Sequence, residues 1–148
     1  MEYAIGVAAA TAVGLFATVI GFDKERSFYP VVLIVIATLY LLFAAMAGST
    51  DSLVAEAIPA LVFVAMAALG FRKTPWLVVA GLALHGVFDF FHQAVIANPS
   101  VPVWWPGWCL AYDVVAAAYL AALIVIRRTS HDSRLKSGRN RWFAGSDG

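Results

Sequence analysis

Apolar residues fall in five long blocks, at positions 3–22, 28–47, 53–71, 76–97 and 107–126. Short polar or proline-bearing breaks separate them: DKERS (23–27), GSTDS (48–52), RKTP (72–75) and NPSVPVWWP (98–106). Each block is close to the roughly 20 residues that a helix rising ~1.5 Å per residue needs to cross a bilayer. Barrel strands would show as shorter alternating segments, so the blocks predict helices. The pattern therefore predicts an all-α membrane protein. It is a bundle of five transmembrane helices over 1–126, with a basic cytoplasmic tail at 127–148 and no separate soluble domain.

Composition agrees. Of 148 residues, 62% are hydrophobic and 13% charged, with a mean hydropathy of +0.83. A soluble domain is about half apolar and a quarter charged, so lipid must cover much of this surface. The first block departs from a signal peptide, because Glu2 precedes a long apolar run that has no basic n-region. All ten Lys and Arg residues lie in the first break, the third break or the tail. That distribution predicts an outside N-terminus and a cytoplasmic C-terminus. Phe28, Tyr29 and Trp76 then mark the inner boundary, and Trp104, Trp105 and Trp108 the outer one. The tail, RRTSHDSRLKSGRNRWF, is expected to meet anionic lipid headgroups rather than nucleic acid, since it directly follows a span. The single cysteine, Cys109, excludes an internal disulfide framework.

The polar residues inside the blocks change the picture most. Glu56, His85, Asp89, His92 and Asp113 are ionisable, and no Lys or Arg lies within any span. A retinal Schiff base is thereby excluded, and the carboxylates are left with histidine or a metal as cationic partners. Intramembrane ionisable groups are costly and usually face the bundle interior. His85, Asp89 and His92 sit four and three residues apart, at about 100° per residue, so they project from one stripe of the fourth helix. Cys109, Tyr112, Asp113 and Ala116 form a second stripe on the fifth helix. Glu56 enters with the third span just before Pro59, and Asp51 lies in the break above it. In the predicted topology His92, Asp89, Asp113 and Glu56 all fall in the outer half of the bundle.

Two imidazoles with two or three carboxylates make up the ligand set of Zn, Fe or Mn sites. His85, Asp89, His92 and Asp113 are the candidate metal ligands, with His85 deepest and able instead to support Asp89. Glu56 is the candidate general base, acting on water polarised by the ion. Cys109, Asp51 and Tyr112 are secondary candidates. The bland alternative is a polar staple, in which these groups bond only one another and neighbouring helices. Thr38 and Tyr40 of the second block could reach the site, although a hydroxyl more commonly bonds its own helix backbone. Gly6, Ala10 and Gly14 read as a helix-packing surface. The proline-stiffened break at 98–106 is either a lid over the polar cluster or, more commonly for such aromatics, an interface anchor.

The segment HGVFDFFHQAVIANPSVPVWWPGWCLAYD resembles a signature of small bacterial integral-membrane proteins of no assigned activity. It combines H-x3-D-x2-H, Asn-Pro and C-x3-D, here His85, Asp89, His92, Asn98, Pro99, Cys109 and Asp113. The resemblance covers the last two spans; it implies a shared site and the bacterial cytoplasmic (inner) membrane. A looser similarity, to membrane hydrolases of the alkaline ceramidase type, implies zinc held by histidines and an aspartate. Those proteins have seven spans and ligands on several of them, whereas both histidines here share one helix.

Three functions stay open at this stage. One is a metal-dependent membrane-embedded enzyme acting on a lipid or amphipathic substrate. Another is a small transporter or proton/cation relay, and the third is a structural or accessory subunit of a larger membrane complex. Homo-oligomerisation is compatible with each of them.

Overall fold

A computed structural model describes the backbone of residues 1–144 and the side chains of residues 1–130. It is all-helical, with α1 at Glu2–Ile20, α2 at Phe28–Met46, α3 at Thr50–Arg72, α4 at Trp76–Val95 and α5 at Trp105–Ala144. A short 3-10 turn, Phe22–Lys24, links α1 to α2. All five helices are long and apolar enough to cross a membrane, α5 through its Trp105–Ser130 portion. The outward faces are correspondingly greasy, with Phe16, Val19, Leu61, Phe90 and Phe91 more than half exposed.

Most helix ends lie within three residues of the expected ones, and local chemistry accounts for the differences. α1 stops at Ile20 because Gly21 adopts φ 91, and its N–H caps the Ala17 carbonyl at 2.9 Å. α3 begins earlier than expected because the Ser49 side chain caps it, accepting from the Ser52 N–H. α4 stops at Val95, where Ile96 turns extended ahead of Asn98-Pro99, and a residue before proline disfavours helix. α5 accommodates Pro106 in its first turn, where no backbone donor is lost. Its backbone helix continues through 127–144. The side chains expected to meet lipid headgroups lie outside the described residues from position 131 onward.

α5 is central to the packing, with α1 on one side and α4 on another; α3 lies against α4, and α2 against α3 and α4. The buried face of α1 consists of Gly6, Ala10, Gly14 and Ala17, the small-residue stripe expected to pack. A side chain at Gly6 would overlap the Trp108 carbonyl and come within 3.0 Å of the Ala111 Cβ. One at Gly14 would press on the Tyr119 ring at 3.2 Å. Small residues thus let two backbones approach, which is how helices associate where lipid removes most of the hydrophobic drive. At the α1 end the Thr18 and Tyr119 hydroxyls lie 2.7 Å apart, and Arg127 reaches Asp23 Oδ2 at 2.8 Å.

The apolar core joins Tyr29, Leu33, Ile36 and Ala37 of α2 to Phe63, Val78, Leu82, Leu120 and Ile124 of the other helices. It occupies the half of the bundle nearest the 3-10 turn. The other half, nearest the α2–α3 and α4–α5 connections, carries the polar residues.

Gly6→Val should cost about 1–3 kcal/mol by overpacking the α1–α5 contact. Thermal unfolding in detergent should show a melting temperature lowered by several degrees, while Ala8→Val on the exposed face of α1 leaves it unchanged.

Candidate metal centre

The buried residues of α4 are Val78, Gly81, Leu82, His85, Gly86, Asp89 and His92, a single stripe at three- and four-residue spacing. Its lower part is apolar, and from His85 onward it becomes ionisable. Gly86 matters at that change. A Cβ there would lie 3.4 Å from the Asp113 Cβ, so the missing side chain lets α5 bring its carboxylate alongside His85. Glu56, His85, Asp89, His92 and Asp113 are each no more than 1% exposed.

These groups divide into two sets. In the first, His85 Nδ1 lies 2.6 Å from Asp113 Oδ2 and 3.3 Å from Asp89 Oδ2. The ligand-capable atoms of His85, Asp89 and Asp113 all fall within 4.8 Å of one another. In the second, His92 Nε2 lies 2.8 Å from Glu56 Oε1. The Asn98 side-chain amide donates to the same oxygen at 2.9 Å.

Tyr40 of α2 joins the two sets. Its hydroxyl donates to Asp89 Oδ1 at 2.7 Å. Its ring stacks on His92 with centroids 3.9 Å apart and 16° between planes. Its carbonyl accepts a 3.4 Å bond from Asn98. Phe63 packs its ring against His85, and Phe88 lies against Tyr40 and His92, so apolar rings wall the polar groups. The connection after α4 closes over this end. Ile96, Asn98 and Val101 are buried, and Ser52 Oγ donates to the Ala97 carbonyl at 3.0 Å. The break read as lid or anchor therefore covers the cluster at its start, and its Trp104 is half exposed.

Each expected residue has a definite place. His85, Asp89 and Asp113 converge. His85, the residue expected to be able to stand behind Asp89, lies between the two aspartates and approaches both. His92 and Glu56 also meet, as a pair of their own. Cys109 is buried one turn before Asp113. Asp51 is exposed in the first turn of α3. Tyr112 stacks on Trp108 and lines the gap between α1, α2 and α5, away from the cluster. Thr38 bonds its own helix through Ile34 and Val35, as expected. Tyr40 takes the other of its two expected roles and reaches the site. Tyr40 shares an i+3/i+4 stripe with Leu33, Ile36 and Ala37, which marks a face of α2 but not where that face points. Asn98 carried two signals, its place in the Asn-Pro part of the motif and its position directly before proline at the end of a span.

Among the described residues, five buried polar atoms of this set have no hydrogen-bond partner: Glu56 Oε2, Asp113 Oδ1, His85 Nε2, His92 Nδ1 and Asp89 Oδ2, the last having only the 3.3 Å ion-pair contact with His85. Buried polar atoms are normally satisfied, so a cluster of exceptions points to a group that binds among them. Three carboxylates here face two imidazoles, and the arginines of the spans, Arg72, Arg127 and Arg128, stand at the opposite ends of α3 and α5. In low dielectric that imbalance is expensive unless protons or a cation offset it. The His85, Asp89 and Asp113 ligand atoms could hold a metal ion.

Five apolar helices of spanning length suggest a membrane protein, and the His85–Asp89–Asp113 group has the composition of a metal site. No family model, curated protein or solved structure matched the chain.

Tyr40→Phe keeps the ring on His92 but leaves Asp89 Oδ1 without its donor. It should destabilise the fold by about 1–3 kcal/mol. Thr38→Val, which loses only bonds to its own helix, should change the melting temperature far less.

Proposed function

We propose that this chain is a multi-pass membrane protein built around a divalent-metal centre held by His85, Asp89 and Asp113. The observation that carries the reading is the charge balance of the cluster. Three carboxylates are wholly buried with two imidazoles as their only basic partners among the described residues, and the ligand atoms of one imidazole and two of the carboxylates converge. A bound cation would offset that charge and engage atoms that otherwise lack partners. Such an ion supplies Lewis acidity and polarises water or a substrate oxygen.

The Glu56–His92 pair gives the centre its acid–base function. Glu56 Oε1 is held by His92 and Asn98, which leaves Oε2 free to take a proton, and a proton on the Glu56 carboxyl can pass to His92 Nε2 across the 2.8 Å contact, leaving carboxylate and imidazolium. The reading is thus a metal-dependent enzyme working on a lipid or amphipathic substrate inside the bilayer. Wrapping by apolar rings keeps bulk water away from both pairs. Following the basic residues, the N-terminus lies outside and the C-terminus in the cytoplasm. The site then belongs to the outer half of the bundle.

A proton relay is the second reading, favoured by Tyr40, whose hydroxyl and ring connect the two pairs. A metal-free wild type whose proteoliposomes conduct protons only with Asp89 and Asp113 intact would support it over the metal reading.

Elemental analysis of the full chain, purified in mild detergent without chelator, should return about one Zn, Fe or Mn ion per molecule. His85→Ala and Asp113→Asn should lose that ion while keeping their far-UV helical signal. Chelation should lower the melting temperature of the wild type and leave Asp113→Asn unmoved. Wild-type protein with no stoichiometric metal would overturn the reading. For orientation, Ser100→Cys should react with an impermeant maleimide on intact cells, whereas Ser27→Cys should react only after permeabilisation.

A further inference from the structure

The end of the bundle remote from the metal centre holds a cavity of about 400 Å³. Its walls are the 3-10 turn, the start of α2, the junction of α3 with α4 and the last apolar turns of α5. The floor is apolar, formed by Pro30, Gly70, Val78, Leu120, Leu123 and Ile124. The rim is charged, with Lys24, Arg26, Arg127 and Arg128 against Asp23 and Glu25. Four cations facing two carboxylates leave the rim positive.

The rim is partly organised already. Arg127 is clamped on Asp23, through the backbone carbonyl at 2.9 Å and Oδ2 at 2.8 Å. Thr18 donates to the same Oδ2 at 3.1 Å. The side chains of Lys24, Arg26 and Arg128 make no ion pair with the described residues. Within the lining, Asp23 and Tyr29 are each only 6% exposed. Yet Asp23 Oδ1 and the Tyr29 hydroxyl have no hydrogen-bond partner among the described residues. Buried polar atoms left open in a cavity wall mark where a ligand's polar atoms belong.

We infer that this cavity binds one anionic phospholipid with a hydroxyl-bearing headgroup, of the phosphatidylglycerol type. Three features of the wall select that chemistry. The positive rim attracts a phosphate and does so less for a zwitterion. Asp23 Oδ1 is an acceptor and needs a donor, which a glycerol hydroxyl supplies and a choline cannot. The apolar floor suits acyl chain, because a free anion would leave that surface wet. A volume of about 400 Å³ is within the range of small-ligand sites and takes a headgroup with the first part of a chain. The phosphate sits among Lys24, Arg26 and Arg128, the hydroxyls reach Asp23 and Tyr29, and the chain runs along Leu120 and Leu123.

The test is native mass spectrometry of the full chain in detergent, titrated with phosphatidylglycerol, phosphatidylcholine or inorganic phosphate. Phosphatidylglycerol should bind at least about tenfold more tightly than phosphatidylcholine. Lys24→Gln with Arg128→Gln, both at exposed positions, should weaken it about tenfold without lowering the lipid-free melting temperature. Leu123→Trp, which fills the floor, should weaken it through the chain rather than the headgroup. Equal binding of the two lipids, or phosphatidylglycerol binding untouched by the double substitution, would overturn the inference. Displacement of the lipid by millimolar phosphate would also overturn it, identifying a free anion as the ligand.

Discussion

Three carboxylates have to be held inside an apolar bundle whose spans carry arginine only at the far ends of α3 and α5. Glu56, Asp89 and Asp113 are wholly buried, and their charge is managed by two imidazoles, one phenol and one amide. Unpaired, each would carry a desolvation penalty of several kcal/mol. The positions of α2, α3, α4 and α5 relative to one another are therefore tied to this cluster, because each contributes at least one of its members. Helix packing in lipid gains little from hydrophobic contrast, so polar contacts and close backbone approach have to supply specificity. The cluster provides the first of these, and glycines provide the second.

Those close approaches are placed where the cluster needs them. Gly86 admits the backbone of α5 to α4 beside Asp113. Gly81 sits where a side chain would meet Leu33, so α2 can lie near enough to α4 for Tyr40 to reach Asp89 and His92. α1 has no part in the cluster. It packs along α5 through Gly6, Ala10 and Gly14 and buttresses the helix that carries Asp113. The bundle thus has two unlike ends. One is sealed over ionisable groups by the connection after α4. The other is rimmed by arginine and lysine around an apolar hollow.

Tyr40 gives the cluster its character. Were the two histidine–carboxylate pairs independent, each would be a local staple. With one side chain bonded to Asp89 and stacked on His92, a change of charge in one pair is felt by the other through a dry, polarisable contact. That contact ties the His85–Asp89–Asp113 group to the His92–Glu56 pair. It also fixes geometry in advance, since rings of Phe63 and Phe88 leave the imidazoles little room to turn.

Much of this was legible in the chain itself. Block lengths and the absence of charge within them determined five spanning helices, because a backbone in lipid must satisfy its own hydrogen bonds. Spacing determined that His85, Asp89 and His92 share one face of α4, since helical periodicity is a local property. It also marked Gly6, Ala10 and Gly14 as a contact surface. What periodicity cannot carry is the rotation of one helix against another, and there the tertiary structure decided. It separated the five ionisable residues into a His85–Asp89–Asp113 group and a His92–Glu56 pair. It turned Tyr40 inward while Thr38 stayed on its own backbone, and it folded Asn98 back onto Glu56. It also sent Tyr112 toward α1, although Tyr112 neighbours Asp113 in sequence. Each of these outcomes depends on which side chain finds a partner across a gap of a few ångströms, and that distance exists only once the helices have packed.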